Sequence, residues 1–412
     1  MQSSRVIETE IPNPEFAPFI ESEINHKKVK LTSGKEIDYQ FGEFWTNKQR
    51  QAASIHEISY RACFKPQLPD YFIHRFTSPG DLVYDPFGGR GTTVIQAAIR
   101  GRQIIQNDIN PLSIILTKAR LTPPSDEDLT QRLNQIPIQK NLKSDLDLTM
   151  FFEAKTFQEI LSLREYFIDR RDKGVNDHID DWIQMVATNR LTGHSSGFFS
   201  VYTFPPNQAI SAKSQIRINE KRKQIPEYRD TKKIILKKSK GLLRNLSTEQ
   251  RNNLAFAEKT AIFLNTTSDK TKAIKNNSVQ LVVTSPPFLD IVQYVEDNWM
   301  RCWFNNLDAH EISNQISIPK DLDRWNGIMS DVLAELFRIT KPGGIVAFEV
   351  GEIRKGSIKL DEEIVPLGET QGFITQYVMI NSQEFTKTSN IWGVTNNGSG
   401  TNTNRIVVFK KP

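Results

Sequence analysis

Short apolar runs that stop abruptly at polar or turn-forming residues set the architecture of this chain. Leu82-Val83-Tyr84, Gln103 to Gln106, Ala261 to Leu264 and Leu281-Val282-Val283 are too short for helices and apolar at consecutive positions, the pattern of strands in a covered, mostly parallel sheet. Helical spacing is expected over Asp70 to Phe76, Val94 to Ile99, Asn110 to Ala119, Phe151 to Phe167 and His178 to Thr188, and between Asp269 and Asn277. A further helix with a heavy aromatic face is expected from Asp290 to Phe304, and Arg405 to Phe409 reads as a closing strand of a hairpin. The turn-rich Leu121-Thr122-Pro123-Pro124-Ser125 breaks the strand–helix alternation, which resumes near Thr260. The sequence therefore divides into an N-terminal extension (1–50), a first half of an α/β domain (51–120), an inserted region (121–258) and a second half (259–412). No internal repeat is evident.

Composition adds limits. At 412 residues, 38% hydrophobic and 25% charged, the chain can bury a sizeable core. No apolar run approaches the roughly 18 residues of a membrane span, and the opening Met1 to Arg5 is unlike a signal peptide. The two cysteines, Cys63 and Cys302, provide neither a disulfide framework nor a zinc site. A prokaryotic cytoplasmic protein without metal or membrane attachment is expected.

Charge is more informative locally than in total. Residues 213–244 hold twelve basic and three acidic residues, a net +9, so the remaining 380 residues carry −4 of the overall +5. A concentrated positive block on a slightly acidic chain suits a polyanion. Arg217, Lys221, Arg222, Lys223 and Arg229 are the candidate nucleic-acid contacts, with Asn219 a further candidate base reader; the lysines would set affinity and the base-edge contacts sequence choice. The aromatic and proline-rich stretch Gly193 to Gln208 is either an ordinary connection or a loop that meets the nucleic acid.

Two motifs carry chemistry. The first, Asp85-Pro86-Phe87-Gly88-Gly89-Arg90-Gly91-Thr92-Thr93, lies between an expected strand and helix. Its glycines permit positive φ and close backbone approach to a ligand, while its spacing fits neither a dinucleotide fingerprint nor a triphosphate loop. Asp108, at the end of the next expected strand, is placed to accept hydrogen bonds from ribose hydroxyls. The second motif is Thr284-Ser285-Pro286-Pro287-Phe288. An exocyclic base amine is a poor nucleophile because its lone pair is delocalised. Ser285 Oγ and the Pro286 carbonyl are candidate acceptors for its protons, the prolines stiffen the loop, and Phe288 offers a face for an extruded base.

Together these motifs resemble those of the S-adenosylmethionine-dependent amino-methyltransferases of DNA, which modify N4 of cytosine or N6 of adenine. Cys63 to Pro69, Asn277 to Leu281 and Phe337 to Gly344 are also similar to family segments. The resemblance covers roughly residues 55–115 and 260–412. It implies a Rossmann-like, seven-stranded class I methyltransferase sheet with an inserted, mainly helical target-recognition domain. It implies a cofactor site of Phe64, Pro66, Asp85, Pro86, Phe87, Gly88, Gly89, Gly91, Thr92, Asp108, Ile109, Ser268, Asp269 and Thr284, with Ser268 or Asp269 near the adenine. Ser285, Pro286, Pro287 and Phe288 would be catalytic, and Asp290 and Tyr294 secondary candidates. Serine before Pro-Pro favours cytosine N4 over adenine N6, with a methyltransferase of RNA or of a protein amide, and a non-enzymatic nucleic-acid-binding module, as the remaining alternatives. Methylation at cytosine C5 is set aside because neither cysteine follows a proline. The implied partners are double-stranded DNA and a restriction endonuclease acting on the same site.

Overall fold

The computed structural model describes residues 24–31, 34–42, 44, 52–60, 63–204, 210–287, 294–316, 321–353, 357–382 and 403–412. Its main sheet is built from β1 (Asn25–Lys30), β2 (Glu36–Gly42), β3 (Leu82–Asp85), β4 (Gln103–Asn107), β5 (Ile262–Leu264), β6 (Val279–Thr284) and β7 (Thr340–Val350). A two-stranded ribbon, β8 (Glu352–Ile353) with β9 (Ile358–Lys359), precedes β10 (Ile374–Ser382) and β11 (Thr403–Lys410), which complete the sheet. The order is β1-β2-β10-β11-β7-β6-β3-β4-β5. From β7 to β5 all pairings are parallel, while β11 runs antiparallel between β7 and β10. The strands from β10 to β5 make up the seven-stranded, mostly parallel sheet expected from the sequence.

Alternation along each strand shows why the runs are apolar throughout. Val83, Ile104, Leu281, Ala347 and Val408 enter one core, whereas Tyr84, Ile105, Val282, Val346 and Val407 enter the core on the opposite face. Helices α1 (Gln67–Phe76) and α2 (Thr92–Ile99) cover the first face. The second is covered by α12 (Leu322–Ile339) and α13 (Leu360–Thr370), and α12 presents Trp325, Met329, Val332, Leu333, Leu336 and Ile339 at helical spacing.

The sheet has two more strands than the seven expected. β2 buries Ile37 and Tyr39 and pairs in parallel with β10, and the Tyr39 hydroxyl donates to buried Asp361 at 2.6 Å. β1 is an edge strand carrying Lys27, Lys28 and Lys30. Such charge guards an edge against further pairing and also removes the apolar signal of a strand. The helix expected between Asp269 and Asn277 is instead a series of turns. Those turns are fixed from outside: Glu335 accepts from the Thr271 amide, and Arg338 donates to the Ile274 carbonyl at 2.9 Å.

After α3 (Leu112–Lys118), the chain leaves the sheet through α4 (Asp126–Gln135), α5 (Ala154–Asp172), α6 (His178–Arg190), α7 (Ala212–Arg222) and α8 (Thr231–Leu243). It returns by α9 (Thr248–Glu258), whose Asn253 Nδ2 donates to the Ile99 carbonyl of α2 at 2.9 Å, and enters β5. The inserted helices share one hydrophobic cluster with the sheet: Leu129, Phe151 and Trp182 belong with Ile95 and Leu281. No helix among the described residues is long and apolar enough to cross a membrane.

Candidate active site

Four adjacent parallel strands, β5, β4, β3 and β6, end on one side of the sheet, and the chain turns in opposite directions on either side of β3. Such a switch point leaves a crevice at the carboxyl ends. Both sequence motifs lie there, 200 residues apart in sequence but on neighbouring strands, with Tyr84 opposite Val282.

The two motifs are joined directly. Asp85 is 1% exposed; its Oδ1 accepts from Thr284 Oγ1 at 2.7 Å and from the Phe87 amide at 3.1 Å. Burial pushes the Asp85 carboxyl up to about 7, against the opposing pull of those hydrogen bonds. Its carboxylate therefore fixes the end of β6 and the start of the glycine turn to each other. Asp108 repeats the device at the end of β4: it accepts from the Asn110 amide at 2.8 Å, two residues on, and from the Gly89 amide at 2.7 Å. Burial raises its carboxyl to about 6, and the two amides hold it lower than burial alone would. Each Asp108 oxygen retains a lone pair, so two ribose hydroxyls fit its remaining acceptor capacity.

The glycine turn is shaped by its neighbours. Gly89 has φ +51 and Gly91 φ +75, and a Cβ on Gly91 would lie 2.3 Å from Thr117 Oγ1. Gly88 packs as closely on Gln106. The Pro86 carbonyl accepts from Ser268 Oγ at 2.8 Å, which places Ser268 as a brace of the turn, while Asp269 pairs with Lys270 at 3.8 Å. Arg90 donates from Nε to Thr92 Oγ1 and reaches back to the Ile58 and Phe64 carbonyls. That link brings Phe64 and Pro66, at the start of α1, beside the turn. The Pro287 carbonyl accepts from the Trp325 indole at 3.2 Å, anchoring the Ser285-Pro286-Pro287 loop to α12. Phe288, Asp290, the side chain of Tyr294 and residues 205–208 lie outside the described residues.

Sequence reasoning missed two participants. Tyr60 faces Gly89 and accepts on its hydroxyl from Asn110 Nδ2 at 3.2 Å; burial and the nearby Asp108 raise its ionisation well above normal. Asn265 fastens the far side by donating to the Asp108 and Ile109 carbonyls at 2.7 and 2.8 Å. Neither follows a recognisable motif, and only the fold brings them to Asp108. Of the basic candidates, Arg217, Lys221, Arg222 and Lys223 are exposed, and Arg229 is half-buried and paired with Glu227 at 3.6 Å. Other members of the block are spent internally: Lys232 donates to the Ile136 carbonyl, Lys233 pairs with Asp230 and Arg244 with Glu57. Among the described residues, the exposed members of the block without an ion pair are Lys213, Arg217, Lys221, Arg222 and Lys223 along α7 and Lys237 on α8. Among the described residues no group of three His, Cys, Asp or Glu side chains could hold a metal ion.

A family model described as DNA methylase matches residues 15–117. Type II methyltransferase M.MjaII of Methanocaldococcus jannaschii is 29% identical over 201 residues, covering 47% of this chain and 35% of that enzyme. Over these stretches the chain is similar to DNA amino-methyltransferases. Type II methyltransferase M.MvaI of Kocuria varians is 23% identical over 287 residues, covering 66% of this chain and 61% of that enzyme. The chain thus spans about a third and three fifths of the length of these two relatives. Among solved structures, a TehB-like SAM-dependent methyltransferase from Corynebacterium glutamicum aligns over 85% of this chain and 90% of its own, at 9% identity and a TM-score of 0.32.

Proposed function

We propose that this protein transfers a methyl group from S-adenosylmethionine to the exocyclic N4 amine of a flipped cytosine in double-stranded DNA. The observation that carries the reading is the Thr284–Asp85 hydrogen bond, because it sets the glycine turn and the Ser285-Pro286-Pro287 loop side by side at one strand-end crevice. The residues present fit the cofactor: Gly89 and Gly91 allow close approach, Asp108 has acceptor capacity for a ribose, and Tyr60 supplies a ring beside Gly89. S-adenosylmethionine supplies, when bound, a methyl group on a positively charged sulfur.

Ser285 Oγ and the Pro286 carbonyl accept the amine protons, which favours a pyramidal nitrogen with its lone pair directed at the methyl carbon. Phe288 is assigned the stacking face from its place in the motif. Transfer neutralises the cofactor's charge, so alignment and exclusion of water matter more than a strong base. The exposed basic residues Arg217, Lys221, Arg222 and Lys223 would hold the duplex backbone. Type II relatives support a protective role beside a restriction endonuclease of the same specificity.

The test is methyl transfer from labelled S-adenosylmethionine to mixed-sequence duplex DNA, with mass spectrometry of the digested nucleosides. N4-methylcytosine is expected. N6-methyladenine would keep the site and overturn the base choice made from Ser285; label only in RNA or protein would overturn the DNA substrate.

A further inference from the structure

Buried charges in proteins are nearly always paired, because an isolated one forfeits its hydration without recompense. Arg190, the last residue of α6, is an exception: it is 8% exposed, and among the described residues no carboxylate pairs with it. Its Nε and Nη2 donate only to the carbonyl and side-chain oxygens of the adjacent Asn189, at 3.0 and 3.1 Å. Two other cations act on the same region, Arg301 of α10 (Tyr294–Phe304) and Lys238 of α8, and both repel Arg190. Its guanidinium carbon lies over the Phe198 ring, 3.9 Å from the centroid, and its Nη1 has no hydrogen-bond partner among the described residues.

The place of this group matters. Asn189 clamps Ser59, accepting from its amide at 2.9 Å and donating to its carbonyl at 2.8 Å, and Arg301 donates to the same carbonyl at 3.2 Å. Ser59 precedes Tyr60, which faces Gly89. Asn189, the neighbour and hydrogen-bond partner of Arg190, thus helps hold the segment that delivers Tyr60 to the glycine turn. The loop that supplies Phe198 is closed at its base, where the Thr203 amide donates to the Gly193 carbonyl at 2.9 Å. Its other side repeats the construction: Arg222 of α7 lies 3.9 Å over the Tyr202 ring. The Tyr202 carbonyl also accepts from Gln215 and Gln224, both at 3.0 Å, which fixes α7 to the loop.

We propose that residues 190–204 with Arg222 form a saddle for a nucleic-acid backbone, in which Arg190 and Arg222 each hold a phosphodiester of one strand. The inference rests on the nucleic-acid substrate proposed above and adds a positioning residue, Arg190, that lies outside the basic block. The partner chemistry is a phosphodiester rather than a carboxylate, because Arg190 and Arg222 lie on one loop-and-helix unit with the exposed Arg217, Lys221 and Lys223, and several cations suit a chain of anions better than a single one.

The experiment measures duplex DNA binding by wild type, Arg190→Gln, Arg190→Lys and Arg222→Gln as a function of salt, with S-adenosylmethionine affinity by calorimetry as the check on folding. Loss of one phosphate contact lowers the slope of log affinity against log salt by about 0.9. Each glutamine variant should show that drop and roughly a tenfold weaker duplex affinity, with cofactor affinity unchanged. Arg190→Lys should keep the wild-type slope but bind several-fold more weakly, because an ammonium cannot reproduce the planar fork; this variant remains decisive if Arg190→Gln does not fold. Wild-type slope and affinity in a folded Arg190→Gln, or wild-type affinity in Arg190→Lys, would overturn the saddle while leaving the methyltransferase reading in place. Absence of salt-dependent duplex binding by the wild type would overturn both.

Discussion

Thr284→Val removes a hydroxyl, keeps the side-chain shape, and isolates the contact between the two motifs. The hydroxyl donates at 2.7 Å to a carboxyl whose ionisation is raised by burial from 3.8 to about 7. A carboxyl with a raised folded-state value favours the folded protein fully below its unfolded value, and that contribution fades as pH rises through about 7. The shift corresponds to roughly 4 kcal/mol lost between about pH 4 and pH 7. Thr284 limits the loss because it stabilises the ionised form. At pH 5 Asp85 is protonated in both proteins, and the variant should forfeit about 0.5–1.5 kcal/mol, a neutral hydrogen bond. At pH 8.5 it should forfeit about 1.5–3 kcal/mol, a bond to a charged acceptor. Urea unfolding of both proteins across this range measures the difference, which should grow by about 1–2 kcal/mol toward high pH. A pH-independent difference would refute the reasoning, because it would mean that Asp85 does not ionise against Thr284.

Three further substitutions separate the roles within the site. Ser285→Ala should cut turnover far more than duplex affinity, and equal losses measured by steady-state kinetics and binding would remove it from the amine-holding role. Asp108→Ala should weaken S-adenosylmethionine binding by calorimetry. In the wild type that affinity should fall as pH drops through about 6, where the carboxylate takes up a proton; unchanged affinity in either experiment would exclude the ribose contact. Gly91→Ala forces a side chain to φ +75 and sets its Cβ 2.3 Å from Thr117 Oγ1, at a cost of about 2–5 kcal/mol. Thermal unfolding close to wild type would show that the turn tolerates a left-handed alanine there.

What was legible in the sequence follows from how each feature is encoded. The central strands could be read because both faces are buried, so Leu82 to Tyr84 and Leu281 to Val283 carry unbroken apolar signals that end in the candidate site residues. Helices with a strong apolar stripe were equally plain: α6 begins at His178 as expected and extends two residues past Thr188, to Arg190. β1 was invisible because its side chains face solvent. The turns from 265 to 278 were misread because their order comes from Glu335 and Arg338, some sixty residues downstream. Asp108 announced itself by its distance from the glycines, whereas Tyr60, Asn265 and Arg190 obtain their places only from tertiary contacts.

The insertion is also tied to the site by contacts that local sequence patterns could not reveal. Segment 54–60, which delivers Tyr60 to the glycine turn, leans on the inserted helices: Ser54 Oγ donates to the Leu242 carbonyl at 2.8 Å, and Ser59 is held on both sides by Asn189. Beneath it, Trp182 is fully buried, and its indole donates to Ser239 at 2.9 Å. Phe151, Phe152, Ile183 and Leu242 share a hydrophobic cluster with Val94, Ile95 and Leu116 of α2 and α3. Excision of residues 124–246 would strip that cluster from α2 and α3 and release the Tyr60 segment. Four fully buried side chains of this size are worth about 6–12 kcal/mol together, comparable with the whole stability of a typical domain. The shortened chain should therefore be aggregated or unfolded by gel filtration and circular dichroism. A monomeric deletion product that binds S-adenosylmethionine with wild-type affinity would refute this, and would make the insertion a detachable reader instead of part of the wall that shapes the site.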